Sequence, residues 1–319
     1  MSAAAPLERR IPVGELIPGD QPQAVAASVY LPAQIPAVPT ALYCLPGGAM
    51  SRGYFDLRAD GDFSFAAALT ARGHIVVTLD PLGIGDSTRP ADGYALTPQV
   101  LARANAVAVA AIQSELAEGR LAGRPLGTVR AIGVGHSMGA MLTGVQQAHH
   151  ETYEGLVLLG FGTKGLVVAL SEEEKRYAGD PAGTLENLVR LARLRSPDPY
   201  PAVPRTQQGR ELFAGSTADR RGVEALNKVR APLLLTAGLY SMIPGSVLPE
   251  CARIRVPLLL ALGDRDMAGP PHEVPASYPG SSDITLLVLP STGHAHFLFD
   301  SRHQLFARAA TWCEATQSR

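Results

Sequence analysis

The chain has 319 residues, 46% hydrophobic and 18% charged, with 28 Lys and Arg against 29 Asp and Glu for a net charge of −1. At about 150 residues per domain this is two domains, or one large α/β unit carrying an insertion, and so much apolar material excludes disorder as the main state. The balanced charge builds no field for nucleic acid or an anionic membrane surface; 32 Gly and 26 Pro without a period exclude collagen and fit a loop-rich enzyme.

Met1–Arg10 contains Ala3-Ala4-Ala5 but no apolar core, so it does not read as a signal peptide. From Arg10 to Pro46 two or three strand-like runs follow without helical spacing, which predicts an antiparallel start to a sheet. His74–Leu79, Val129–Val134, Gly155–Gly160, Val256–Leu262 and Ile284–Leu289 are then apolar at most positions rather than alternating. Such runs are the signature of strands buried on both faces of a parallel sheet. Helical segments lie between them. Thr97-Pro98 reads as an N-cap followed by Pro at the first helical position, and Val100, Leu101, Ala104, Val107, Ala108, Ala111 and Ile112 continue at helical spacing towards Gly119. Met138–His149 and Arg302–Glu314 are two further helices. The alternation predicts an α/β fold, a mostly parallel sheet with helices on both faces.

Thr163–Arg255 breaks the alternation. It has a charged run, Glu172–Arg176, then a proline cluster (Pro197, Pro199, Pro201, Pro204) and short mixed helices. It reads as an inserted cap over the active end of the sheet, with 1–162 and 256–319 forming the core. Ala231–Gly238 looks like a strand and echoes Val256–Gly263, so part of the insertion could instead continue the sheet. Leu212, Phe213, Tyr240, Met242 and Ile243 make the cap apolar and suggest an apolar or moderately bulky substrate group. The uncharged stretch that could tempt a membrane reading, Ala231–Pro249, is interrupted by Pro232, Gly238, Pro244, Gly245 and Pro249 and does not read as a membrane-spanning helix. Three widely separated cysteines, Cys44, Cys251 and Cys313, without C-x-x-C, argue against a disulfide framework or zinc ribbon. A cytoplasmic protein is expected.

Gly135-His136-Ser137-Met138-Gly139 is a G-x-S-x-G motif. Its context makes it specific, because an apolar strand runs into it and a helix pattern starts directly after it. In such a strand–elbow–helix turn a serine is presented at the end of a sheet. The crowded turn leaves no room for a Cβ two residues before or after Ser137, and the helix from Met138 points free N–H groups at the serine, where an oxyanion needs donors. A serine hydroxyl needs a base, and the base an orienting acid. Both are expected at the carboxyl ends of later strands. Two places fit: Gly263-Asp264-Arg265-Asp266, and Pro290-Ser291-Thr292-Gly293-His294-Ala295-His296. Asp264 competes with Asp266, and His296 with His294. The His294/His296 pair and His149-His150 lack the spacing of a hydrolytic metal site, so no metal is expected. Gly133-x-Gly135 fails as a dinucleotide fingerprint because Met138 stands where the third glycine belongs, so no cofactor is expected.

The elbow G-H-S-M-G, the loop Asp80-Pro81-Leu82-Gly83-Ile84-Gly85-Asp86-Ser87, the G-D-R-D turn and the G-H turn stand in the order and spacing of the α/β-hydrolase superfamily, which the sequence resembles over nearly its whole length. The resemblance implies an α/β-hydrolase fold with an inserted cap, Ser137 as nucleophile, Asp266 as acid through the G-x-x-D turn, and His294 as base through the G-H turn. Where the family has a His-Gly pair before its first oxyanion donor, this chain has Leu45-Pro46-Gly47-Gly48-Ala49-Met50, with Pro for His. Gly48 N–H is the expected donor there, with Ala49 as alternative, and Met138 N–H is the second. The expected reaction is acyl transfer to water from a small-molecule ester or lactone. A thioester is the nearest rival, then carbon–carbon bond hydrolysis, cofactor-free haloperoxidation, or a ligand-binding member that keeps the triad. Members that open epoxides or displace halide use Asp at the elbow, which Ser137 disfavours.

Overall fold

The computed structural model describes residues 5–316 except 205, 208–210, 212 and 216. The strands are β1 (Leu7–Gly14), β2 (Gln23–Tyr30), β3 (Thr40–Leu45), β4 (Ile75–Asp80), β5 (Arg130–His136), β6 (Gly155–Leu159), β7 (Leu258–Gly263) and β8 (Ile284–Leu289). They form one sheet in the order β1-β2-β4-β3-β5-β6-β7-β8. β1 pairs antiparallel with β2, and β2 with β4; every later pairing is parallel. The antiparallel start lies where the sequence predicts it, although β1 begins at Leu7, ahead of Arg10.

Strands β3 to β7 are buried at every position, which is why they read as continuous apolar runs. Successive residues serve opposite faces. Ala41, Tyr43 and Leu45 of β3 join the core beneath α2 (Pro98–Ala117) and α3 (Met138–His150), while Leu42 and Cys44 join the core beneath α1 (Phe65–Ala71) and the C-terminal helix (Arg302–Ala315). α2 starts at Pro98 with the Thr97 side chain accepting from Val100 N–H. Cys44, Cys251 and Cys313 are buried and unpaired. Among the described residues, no helix is long and apolar enough to cross a membrane.

The connection from β6 to β7 carries α4 (Glu172–Lys175), α5 (Pro181–Arg195), α6 (Arg220–Lys228), α7 (Leu235–Met242) and α8 (Leu248–Arg253), so that the C-terminal helix is α9. The strand-like run Ala231–Gly238 is not a strand of the sheet. Its second half opens α7, and Leu233 and Leu235 N–H donate to the carbonyls of Pro201 (3.0 Å) and Pro199 (3.2 Å). The physical reason is burial: Leu235 through Tyr240 are buried all round, and an all-round apolar helix has the same pattern as a buried strand. The sheet is also continuous without it, because β6 pairs directly with β5 and β7.

Candidate active site

Ser137 sits between the last residue of β5 and the first of α3, with φ 53° and ψ −121°. A positive φ is costly for a residue with a Cβ and persists where its surroundings enforce it. Here they do: Ser137 N–H donates to Leu159 O (2.8 Å), and Ser137 O accepts from Ala140 and Met141 N–H. A Cβ on Gly139 would overlap the carbonyl oxygens of Leu45 and Pro46, and one on Gly135 would overlap the backbone of Ala140. These are the two positions at which the elbow requires glycine.

The turns after β7 and β8 bring their side chains to this serine. His294 Nε2 lies 2.8 Å from Ser137 Oγ, and His294 Nδ1 lies 2.7 Å from Asp266 Oδ1. Asp266 Oδ1 also accepts from Ala268 N–H at 2.9 Å. The side chains of Asp266 and His294 are buried. Burial opposes a charge on Asp266, but the adjacent imidazoles of His294 and His296 outweigh it and hold the carboxyl well below the usual range. Gly160, with φ 59°, follows β6 beside this pair; a Cβ there would stand 3.2 Å from Asp266 Oδ2 and from His294 Nδ1.

The competing residues have other partners. Asp264 accepts from Ser291 and Thr292 N–H (2.9 and 3.0 Å) and so ties the turn after β7 to the turn after β8. His296 does not reach Ser137; its Nε2 lies 2.7 Å from Asp266 Oδ2. His136, the variable residue before the serine, donates from Nε2 to His294 O at 2.9 Å and stacks on Tyr54 with ring centroids 4.5 Å apart. Burial, with His294 and His296 adding to it, pushes the His136 imidazole well below its ordinary value, so it is neutral. No motif signals these contacts of His136, Tyr54 or Gly160; each depends on how separate loops meet.

Gly48 and Met138 face the same cavity, and their N–H groups take no acceptor among the described residues. Ala49, with φ 61°, follows on this wall, and its carbonyl accepts from Ala231 N–H at 2.9 Å. The loop is braced from the sheet as well. Asp80, at the end of β4, accepts from Arg52 N–H (2.6 Å) and pairs with the Arg52 guanidinium, while its carbonyl accepts from Ser87 Oγ (2.6 Å).

The cavity measures about 550 Å³. Ser137, Met138 and His294 form its floor; Phe161, Leu166, Phe213, Leu233, Leu235 and Met242 make most of its wall apolar. Phe213 packs edge-on to His294 with ring centroids 5.5 Å apart. Pro201–Pro204 run along the cavity without helical or strand structure. Tyr240 and Ile243 pack into the core, and Leu212 lies outside the described residues. Among the described residues, no group of three or more His, Cys, Asp or Glu side chains is placed to hold a metal ion.

No curated protein matches the chain in sequence. Solved structures match at low identity. DcsB in complex with a substrate analogue is 15% identical with TM-score 0.64, covering 98% of this chain and 99% of its own. A thermophilic esterase from Thermogutta terrifontis, with malate bound, is 15% identical with TM-score 0.62, covering 97% and 99%. The thioesterase domain from the curacin biosynthetic pathway is 16% identical with TM-score 0.57, covering 97% and 99%. At such identities the likeness is one of fold. A sequence model described as the alpha/beta hydrolase family matches residues 42–309, which is most of the chain, and with the strand order and the elbow at Ser137 this places the protein in the alpha/beta hydrolase family.

Proposed function

We propose that the protein is a serine hydrolase that cleaves a carboxylic ester or lactone through an acyl-enzyme on Ser137. The observation that carries the reading is the hydrogen-bonded row Ser137–His294–Asp266, with separations of 2.8 and 2.7 Å, opening onto an apolar cavity. Ser137 Oγ attacks the substrate carbonyl while His294 Nε2 takes its proton. Asp266 fixes the Nδ1–H tautomer and stabilises the imidazolium that forms. The N–H groups of Gly48 and Met138 stabilise the oxyanion. His294 returns the proton to the leaving alcohol, and water, activated by the same imidazole, releases the acid.

In this reading residues 163–255 form a cap that sets specificity. Phe213, Leu233 and Met242 come from it, whereas Ser137, Asp266 and His294 do not. The apolar wall favours an apolar acyl or alcohol group. The same wall would accept the acyl chain of a thioester, so oxygen-ester and thioester rates need comparison at matched chain length. The first experiment is fluorophosphonate treatment with peptide mapping. The label should fall on Ser137, and turnover of a chromogenic ester should be lost with it. A label elsewhere, or none on an active protein, rejects the reading.

A further inference from the structure

Asp266 is held by two imidazoles, and the reaction scheme above uses one of them. Its Oδ1 accepts from His294 Nδ1–H and Ala268 N–H. Among the described residues, Oδ2 accepts only from His296, at 2.7 Å. His296 is fully buried, as is the Asp266 side chain it meets. The other ring nitrogen, Nδ1, is buried without a hydrogen-bond partner. A proton there would be an unsatisfied buried donor, so the ring proton belongs on Nε2, facing the carboxylate. His296 does not line the cavity.

We infer that His296 is a positioning residue: it anchors Asp266 by its second oxygen and moderates the negative charge that Asp266 presents to His294. The inference rests on the proposed role of the Ser137–His294–Asp266 row. Its physical basis is that a carboxylate with a donor on each oxygen is fixed in rotation and spreads its charge over three N–H groups. Without His296, one buried oxygen is left unpaired. More of the charge then acts on the imidazolium of His294, which favours its charged form. The titratable groups facing His296 are Asp266, His294 of the same turn, His136, whose ring meets it edge-on at 5.7 Å, and Tyr54, whose ring stacks on His136. Tyr54 is kept neutral by burial and by Asp266, and His136 by burial.

The test compares His296→Leu with His296→Gln, whose amide nitrogen can stand where Nε2 stands. The Leu variant should lose about tenfold in kcat with KM little changed. The acidic limb of its kcat/KM profile should move up by about 0.5 to 1 pH unit. The Gln variant should recover most of both. A Leu variant with the wild-type pH profile overturns the inference, as does a loss confined to KM or Tm. Should the variants not fold, 15N-histidine NMR of the unmodified protein gives an independent reading. His296 should be a slowly exchanging Nε2–H ring across the active pH range, and an Nδ1–H or freely exchanging ring overturns it. Fluorophosphonate labelling of the unmodified protein separates the two claims. No label on Ser137 rejects the reaction; a label with an unshifted Leu profile rejects the role of His296 alone.

Discussion

The carboxylate of Asp264 holds the backbone of Thr292, with Oδ1 3.0 Å from its N–H, and its other oxygen holds Ser291 N–H at 2.9 Å. Two residues further on, Asp266 bonds the side chain of His294. One short turn thus fixes both the main chain that carries the imidazole and the imidazole itself. Asp264 is exposed, and its carboxyl is lowered chiefly by the Ser291 N–H. Asp264→Ala should therefore cost about 1 kcal/mol of stability through two lost hydrogen bonds, and reduce kcat severalfold. Thermal unfolding and steady-state kinetics on an active ester check this. A loss as complete as that of an Asp266 variant would mean that the two carboxylates have been assigned the wrong way round.

Ser137→Ala should lower kcat by roughly 10⁴-fold or more, and Asp266→Asn by roughly 10³- to 10⁴-fold, because a triad acts as a unit. Both variants should keep the fold. Ala relieves the positive φ of Ser137 no better than Ser does, and Asn preserves the shape of Asp. Rates measured with one chromogenic ester, together with far-UV circular dichroism, decide it. A folded Ser137→Ala protein that retains activity would move the nucleophile elsewhere.

Stability should fall as the pH drops below neutrality, in two stages. The buried imidazoles of His136 and His74 are both shifted down in the folded protein, His136 strongly. Their stabilising effect is complete above the unfolded value of about 6.5 and is lost as the pH falls, because the unfolded chain takes up protons that the folded one refuses. Asp266 is depressed well below its ordinary value. Its contribution is complete above an unfolded value of about 3.9 and disappears as the pH falls further, towards the folded value. Urea midpoints between pH 8 and pH 3 should show the first decline beginning near pH 6.5. His136→Gln should weaken that first decline and leave the second. An unchanged slope in the variant defeats the assignment.

Much of the candidate site was legible because its parts are local. Each strand end that feeds it is an apolar run ended by glycine or a turn residue: Gly135 before Ser137, Gly263 before Asp266, Gly293 before His294. The order of those ends along the sheet then brings distant residues together. Contacts between loops were not legible. A spacing of two residues put both His294 and His296 within reach, and only the path of the turn assigns one to Ser137 and the other to Asp266 Oδ2. The same limit explains why the run Ala231–Gly238 looks like a strand. Burial on every side erases the period that separates helix from strand, and the deciding contacts, with Pro199 and Pro201, lie some thirty residues earlier in the chain.

Substrate size should be set by Met242. Its side chain reaches the cavity from the end of α7, while its main chain is pinned by Leu166 N–H donating to its carbonyl at 2.8 Å. The backbone should stay in place when the side chain is shortened, so that Met242→Ala enlarges the cavity without reshaping the segment. Met is unbranched and polarisable, which suits it to filling an irregular wall of this kind. One methylene in an apolar pocket is worth about 1–3 kcal/mol in kcat/KM. Removing the outer part of Met242 should therefore shift the preferred acyl or alcohol group by roughly two or three carbons and reverse the ranking of neighbouring chain lengths. Fluorophosphonate labelling of Ser137 should continue at a comparable rate, since Met242 is not part of the hydrogen-bonded row. A chain-length series of chromogenic esters, run on both proteins, gives the answer. If the Met242→Ala profile is parallel to that of the unmodified enzyme and only Tm falls, residues 163–255 cover the site without choosing what enters it.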